Sequence, residues 1–196
     1  FMIKPFDFFF DFISPYSYLA HMQIRNLEKE NNLKINYKPI LLGGLHKLAG
    51  VTAATFIPSK IKYMIRDCKM VAEKHNIEFK FNTNFPINSL ALMRGIFLAQ
   101  KKKKLDHYID FFFDAYWKDG LNLNNDKIIN SILNNLNIDL NEFHLIISDQ
   151  KIKSKLTNQT REAYNKGVFG APSFIINNKL FWGQDRLEFV LKEAQR

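Results

Sequence analysis

Three short stretches of this 196-residue chain carry residues able to do chemistry, and they lie towards its two ends. The first is Ser14-Pro15-Tyr16-Ser17. A serine before a proline reads as a helix N-cap followed by the first helical position. Residues 14 to 17 should then present unpaired backbone amides and the positive end of a helix dipole, which together stabilise an anion. A thiolate would suit that place. The side chain supplied is a hydroxyl, too weakly acidic to replace a thiol in disulfide exchange. What it can do is donate a hydrogen bond to a sulfur anion brought by a ligand. Each unit by which such contacts lower that thiol's pKa corresponds to about 1.4 kcal/mol of preference for the ionised form. Taken alone, Ser14 reads as an ordinary helix cap.

The second stretch is Gly167-Val168-Phe169-Gly170-Ala171-Pro172, followed at once by a strand pattern. By itself Gly-Ala-Pro is a turn signal. A cis bond before Pro172 would leave the backbone groups of Ala171 facing outwards, able to pair with an extended peptide ligand as an added strand would. The third is Phe181-Trp182-Gly183-Gln184-Asp185-Arg186. Gln184 and Asp185 offer side-chain oxygens to backbone amides or to a cationic amine, and Asp185 reads equally as the cap of its own helix. Trp182, by residue type, reads as core.

The elements that must position these stretches follow from periodicity. Ile3 to Phe12 alternates loosely and is rich in phenylalanine, which predicts a buried strand. Leu19, Met22, Gln23 and Asn26-Leu27 continue a helix from Pro15 to about Glu30, and Leu33 to Leu42 reads as a second strand, giving a βαβ unit. From Gly43 to Lys166 helical patterns dominate. Pro58 opens one through Ile61, Ile65, Cys68 and Ala72. Others run through Leu90, Met93 and Phe97, and through Leu105, Tyr108, Ile109, Phe112 and Tyr116. Asn125-Asp126 caps a helix with Ile129, Leu133 and Leu136, and a further one runs from Lys151 towards a stop at Gly167. Strand signal returns at Ser173 to Ile176, with Asn177-Asn178 as a hairpin turn, Leu180 to Trp182, and a last helix after Asp185. The order βαβ, helical insert, ββα is that of an α/β thioredoxin-like domain, residues 1–42 and 167–196, carrying an inserted helical subdomain, 43–166.

Composition bounds the rest. With 46% hydrophobic residues the chain can bury one substantial core. No apolar run approaches a membrane span and no basic-then-apolar leader is visible, so neither membrane nor secretion is expected. The single cysteine, Cys68, excludes an internal disulfide and a CxxC pair, which fits a reducing cytoplasm, and lies on an apolar helical stripe. No metal site is read. The formal charge of +9 comes from scattered lysines with scarce arginine and no nucleic-acid motif, so it reads as a field attracting anionic small molecules rather than nucleic acid. The Lys101–Lys104 run reads as a solvated helix end.

Taken together, Asp11-Phe12-Ile13-Ser14-Pro15-Tyr16-Ser17-Tyr18-Leu19-Ala20, the Gly167 to Pro172 stretch and Phe181-Trp182-Gly183-Gln184-Asp185-Arg186-Leu187 resemble the 2-hydroxychromene-2-carboxylate isomerases and the related kappa-class glutathione transferases. Ile57-Pro58-Ser59-Lys60, Tyr63-Met64, Asp67, Phe85-Pro86, Asn88-Ser89 and Met93-Arg94-Gly95 are also similar to that family. The resemblance implies glutathione as cofactor, with Ser14 bonded to its sulfur as the catalytic group. Tyr16, Lys60, Ala171, Pro172, Trp182, Gly183, Gln184 and Asp185 would form its site. Ala171 would meet the cysteinyl part, Gln184 and Asp185 the γ-glutamyl end, and Lys60 the glycine carboxylate. Without the resemblance Lys60 is a solvated helix residue. His46, Lys47 and Asn88 fall near the family's pocket for an aromatic or electrophilic small molecule. The implied reaction is addition of the glutathione thiolate to a conjugated carbon, ring opening, bond rotation and expulsion of glutathione. A transferase releasing a stable conjugate is the alternative. A homodimer is also implied. The chain departs from the family at Val51, where many relatives carry a ligand-contacting asparagine, and at Ala53-Ala54 in place of a proline pair.

Overall fold

Alternate phenylalanines decide where the first strand sits. In the computed structural model, which describes residues 3–29 and 33–196, β1 spans Phe6–Phe10. Phe6, Phe8 and Phe10 point to one face, since successive strand side chains alternate. There Phe8 stacks on Phe174 at 5.2 Å and Phe10 lies 5.8 Å from Phe113. Phe9 points the other way, into a smaller cluster with Ile40, Leu45, Ala163 and Val168. Both faces of β1 are therefore buried, which is why its sequence reads as a run.

Helix α1 (Pro15–Glu28) carries the chain across to β2 (Ile35–Pro39), which pairs parallel with β1, Phe8 opposite Tyr37. The helix expected to reach about Glu30 runs to Glu28; Glu30 lies outside the described residues. Strand β3 (Ser173–Ile176) returns antiparallel to β1, and β4 (Lys179–Trp182) antiparallel to β3, for a sheet order β2-β1-β3-β4. Asn177 and Asn178 have φ of 48° and 60°, the paired positive values that a two-residue hairpin turn requires. Helix α9 (Leu187–Ala194) closes the chain.

Between Leu42 and Asn165 the described residues form seven α-helices and no strand. They are α2 (Leu42–Ala49), α3 (Pro58–Lys74), α4 (Leu90–Lys101), α5 (Leu105–Trp117), α6 (Asp126–Asn135), α7 (Leu140–Ser148) and α8 (Gln150–Asn165). Helix α7 has no counterpart in the periodicity reading; Asp139 caps its start through Glu142 N–H, and Asp149 ends it while capping α8. Strands expected to reach Phe12 and Leu42 end at Phe10 and Pro39, and Leu42 opens α2 instead. No described helix is long and apolar enough to cross a membrane.

Helix α5 is fastened to the turn after β1. Phe12 packs edge-on against Phe113 at 4.9 Å, and the buried Trp117 indole donates to the Phe12 carbonyl at 2.8 Å. Trp117→Phe leaves that carbonyl buried and unpaired, a loss of about 1–3 kcal/mol. Urea unfolding should show a correspondingly lower midpoint. An unchanged midpoint would remove this bond from the structure's support.

Candidate functional site

Ser14 is the N-cap of α1, in extended backbone geometry (φ −88°, ψ 113°), with Pro15 at the first helical position. Its oxygen accepts from Ser17 N–H at 3.0 Å, and its hydroxyl donates to the Ala171 carbonyl at 3.2 Å. The two ends of the chain thus meet through this hydroxyl. Ser17, one turn on, is fully buried, and its hydroxyl has no hydrogen-bond partner among the described residues. The buried Asp11 holds the turn from beneath. Its carboxylate accepts from Ile13 N–H at 3.2 Å and from Leu42 N–H, at the start of α2, at 2.9 Å. Burial pushes this carboxyl above its ordinary range, against the opposing bonds from Leu42, Ser89 and Ile13.

The Ala171-Pro172 bond is cis, as the second stretch suggested. Each carbonyl of this loop has its own donor. Gly170 receives the Ser173 hydroxyl at 2.7 Å, Ala171 the Ser14 hydroxyl, and Pro172 the Gly183 N–H at 3.0 Å. Gly183 has φ 110° and ψ 150°, a conformation essentially reserved for glycine. It turns β4 into a short 3-10 turn, Gln184–Arg186, that leads into α9. There the buried Gln184 accepts from Gln23 of α1 at 2.8 Å, so its side chain braces the loop against the helix. Asp185 makes no side-chain cap of either the 3-10 turn or α9; it is exposed and sits 3.3 Å from Arg186 Nη1. Of the two readings of Asp185, the cap is the one the structure overturns.

A cleft of about 430 Å³ opens beside this junction. Tyr16, Ala171, Pro172, Trp182, Gly183, Gln184 and Asp185 line it, seven residues drawn from three distant stretches. Asp67 and Arg186 line it too, and neither stood among the expected site residues. Both stand in the motifs quoted from the sequence, which assign them no role. Asp67 becomes visible only through packing of α3 on α1, where it accepts from Tyr16 at 2.7 Å and from Tyr63 at 3.3 Å. Burial, then the bond to Asp67, holds the Tyr16 phenol protonated far above neutral pH. Trp182 is not core as its residue type suggests: it is 54% exposed and forms one wall of the cleft, tilted against Phe169 at 5.0 Å.

Ser14 itself is 4% exposed and does not line the cleft, reaching it through its bond to Ala171. Lys60, His46, Lys47 and Asn88 lie outside the cleft as well. Lys60 is exposed on the first turn of α3. Seven residues before Asp67, it shares that helical face at a distance of roughly 10 Å along the axis. His46 and Lys47 lie on α2, His46 half-buried with its pKa lowered by that burial and Lys47 exposed. Asn88 is exposed, and its oxygen accepts from Leu90 N–H at the start of α4. Among the described residues no group of three His, Cys, Asp or Glu gathers as a metal site.

Residues 6–195 match the family of the DSBA-like thioredoxin domain. A 2-hydroxychromene-2-carboxylate isomerase of Sphingobium xenophagum is 27% identical over 198 residues, covering 96% of this chain and 97% of its own length. Glutathione S-transferase kappa 1 of Rattus norvegicus is 22% identical, covering 94% and 88%. Among solved structures, a 2-hydroxychromene-2-carboxylate isomerase superposes with a TM-score of 0.88 at 27% identity, covering 97% of this chain and 94% of the other.

Trp182 keeps its place because residue 170 has no side chain. A Cβ there would lie 2.6 Å from the Trp182 indole nitrogen. In Gly170→Ala the half-exposed indole must swing into solvent, so tryptophan emission should shift to the red while stability changes by less than about 1 kcal/mol. Trp117 is fully buried and gives a constant background. Emission identical to the parent protein would show that the indole does not rest on this glycine.

Proposed function

The chain belongs to the DSBA-like thioredoxin domain family, and on that premise we propose that it is a glutathione-dependent isomerase of 2-hydroxychromene-2-carboxylate or a related aromatic-degradation intermediate. The observation that carries this reading is the Ser14 hydroxyl, held at the N-terminus of α1 and 3.2 Å from the carbonyl of Ala171, which itself lines the cleft. A redox member of the fold needs a thiol pair there; this chain has Ser14 and Ser17.

An extended tripeptide thiol suits the residues present. The cleft falls within the usual size of small-molecule sites, roughly 300–1,000 Å³. Its backbone edge at Ala171 suits strand-like pairing with the cysteinyl segment. Asp185 and the oxygen of Gln184 suit the ammonium of the γ-glutamyl end, and Lys60 lies on the α3 face that leads away from Asp67, suited to the glycine carboxylate. When bound, glutathione supplies a thiolate nucleophile that adds to an electrophilic carbon and later leaves it.

The chain's own part is to hold that sulfur charged and aimed. The dipole of α1 favours negative charge beside Ser14. Of the amides expected there, Ser14 N–H is bonded to the Asp11 carbonyl, Ser17 N–H to the Ser14 oxygen, and Pro15 has none. The Ser14 hydroxyl adds one donor, and a hydrogen bond to a charged acceptor is roughly twice as strong as one to a neutral acceptor. Holding sulfur beside the organic substrate lowers the barrier through proximity. His46, Lys47 and Asn88 are the groups we place on the organic-substrate side. Glutathione is regenerated, and a reducing cytoplasm supplies it. We also expect a homodimer. A kappa-class transferase is the second reading, favoured by the similarity to rat glutathione S-transferase kappa 1 over 94% of the chain. Glutathione recovered unchanged after turnover marks isomerisation, and its stoichiometric consumption marks transfer.

Ser14→Ala tests the central assignment. Glutathione should still bind, because the pairing with Ala171 and the end contacts remain. Ionisation of the bound thiol should fall, and turnover with it by about 10²-fold, the cost of losing one preorganised donor to a developing anion. Unchanged kinetics in this variant would remove Ser14 from the reaction.

A further inference from the structure

The Ser14 hydroxyl has one proton, and in the structure that proton is committed. Its oxygen is fixed by Ser17 N–H at 3.0 Å, so the remaining freedom is rotation of the O–H bond, which points at the Ala171 carbonyl 3.2 Å away. To reach a sulfur anion the hydroxyl must leave that carbonyl. The neighbouring loop carbonyls cannot exchange partners with it, since Gly170 holds the fully buried Ser173 hydroxyl and Pro172 holds Gly183 N–H. Pro172 has no N–H of its own to offer. Ala171 is half-buried and lines the cleft, so a ligand that covers its carbonyl and excludes water must itself supply the replacement donor, and a donor lost without replacement is costly.

We infer that the Ala171 carbonyl is a specificity-determining group: it frees the Ser14 proton for a bound sulfur only when the thiol's own peptide N–H takes the hydroxyl's place. This rests on the glutathione reading above and refines it. The exchange moves no heavy atom of the chain. The cysteinyl N–H bonds to Ala171, the Ser14 O–H rotates from carbonyl to sulfur, and the thiol proton leaves to solvent. Docking of the peptide backbone and acidification of the thiol are thereby one event. A thiol ligand that covers the carbonyl without supplying that N–H meets a hydroxyl still engaged with Ala171, and gains only what the α1 dipole provides. The site therefore favours ionisation of a thiol whose ligand brings a peptide N–H to Ala171 over one whose ligand covers the same carbonyl without it.

The test compares glutathione with its depsipeptide analogue, in which an ester oxygen replaces the N–H between the γ-glutamyl and cysteinyl parts. The pKa of each bound thiol is read from thiolate ultraviolet absorbance against pH, on the parent protein and on Ser14→Ala. The protein adds no thiolate signal of its own near neutral pH: its one cysteine, Cys68, is buried, and burial and then the charge of Asp67 push its thiol up to about 12.

On the parent protein the glutathione thiol should be more acidic than the analogue's by about one pKa unit, a tenfold difference in ionisation. This difference is taken after subtracting the difference between the two free ligands. In Ser14→Ala the gap should close. Equal pKa values on the parent protein, or a gap that persists in Ser14→Ala, overturn the inference and leave the glutathione reading standing. Failure of glutathione itself to bind overturns both. Should the analogue bind too weakly to saturate, the protein-accelerated rate of alkylation by iodoacetamide at low ligand concentration gives the same comparison. The Ser14→Ala penalty should then be about tenfold larger with glutathione than with the analogue, and equal penalties overturn the inference.

Discussion

One hydrogen bond, from the Ser14 hydroxyl to the Ala171 carbonyl, joins residues 157 apart in sequence, and the rest of the structure keeps those two groups within reach. Each partner is set by a different local rule. Ser14 is held by helix capping and by Pro15 at the first helical position. Ala171 is held by the cis bond before Pro172 and by the bond from Gly183 to the next carbonyl. Neither rule brings the two together. That is done by the antiparallel pairing of the central strands β1 and β3, in which Phe9 lies opposite Ser173 and the two strands place their loops at the same end of the sheet.

The aromatic core explains why the junction is stiff. Phe8, Phe174, Phe10, Phe12 and Phe113 form a continuous ladder from the sheet to α5, and Trp117 closes it on the Phe12 carbonyl, two residues before Ser14. Close-packed side chains transmit displacement rather than absorb it. From the other side Asp11 ties the same turn to the start of α2, the helix carrying His46 and Lys47. The sulfur side and the organic-substrate side of the proposed site are thus referred to one buried carboxylate.

How far the sequence disclosed this arrangement depended on the range of each interaction. Ser14-Pro15 and Asn177-Asn178 were readable because capping and hairpin turns are decided within a few residues. Strand ends were overextended because Phe12 and Ile40 are buried by packing beyond the paired ladder. Helix α7 was missed because it is short and partly unpatterned, with Leu145 72% exposed where an inward apolar residue would sustain the period. Asp67 and Arg186, present in the quoted motifs, received no site role for a different reason. A charged residue on a helix is ordinarily solvated, and only the approach of α3 to α1, or the turn at Gly183, makes these two face a cleft.

Charge separates two jobs that the sequence alone merged. The net charge of +9 belongs to the whole chain and sets a long-range field that favours anions. The cleft does not repeat it, being lined by Asp67 and Asp185 with Arg186 alone as a cation. A simple anion would be drawn to the protein yet find two carboxylates at this site. A ligand with an ammonium at one end and negative charge elsewhere satisfies both levels, with its cation at the acidic lining and its sulfur at the dipole of α1. On the proposed reading, the local acidity contributes to selection and the global basicity to encounter.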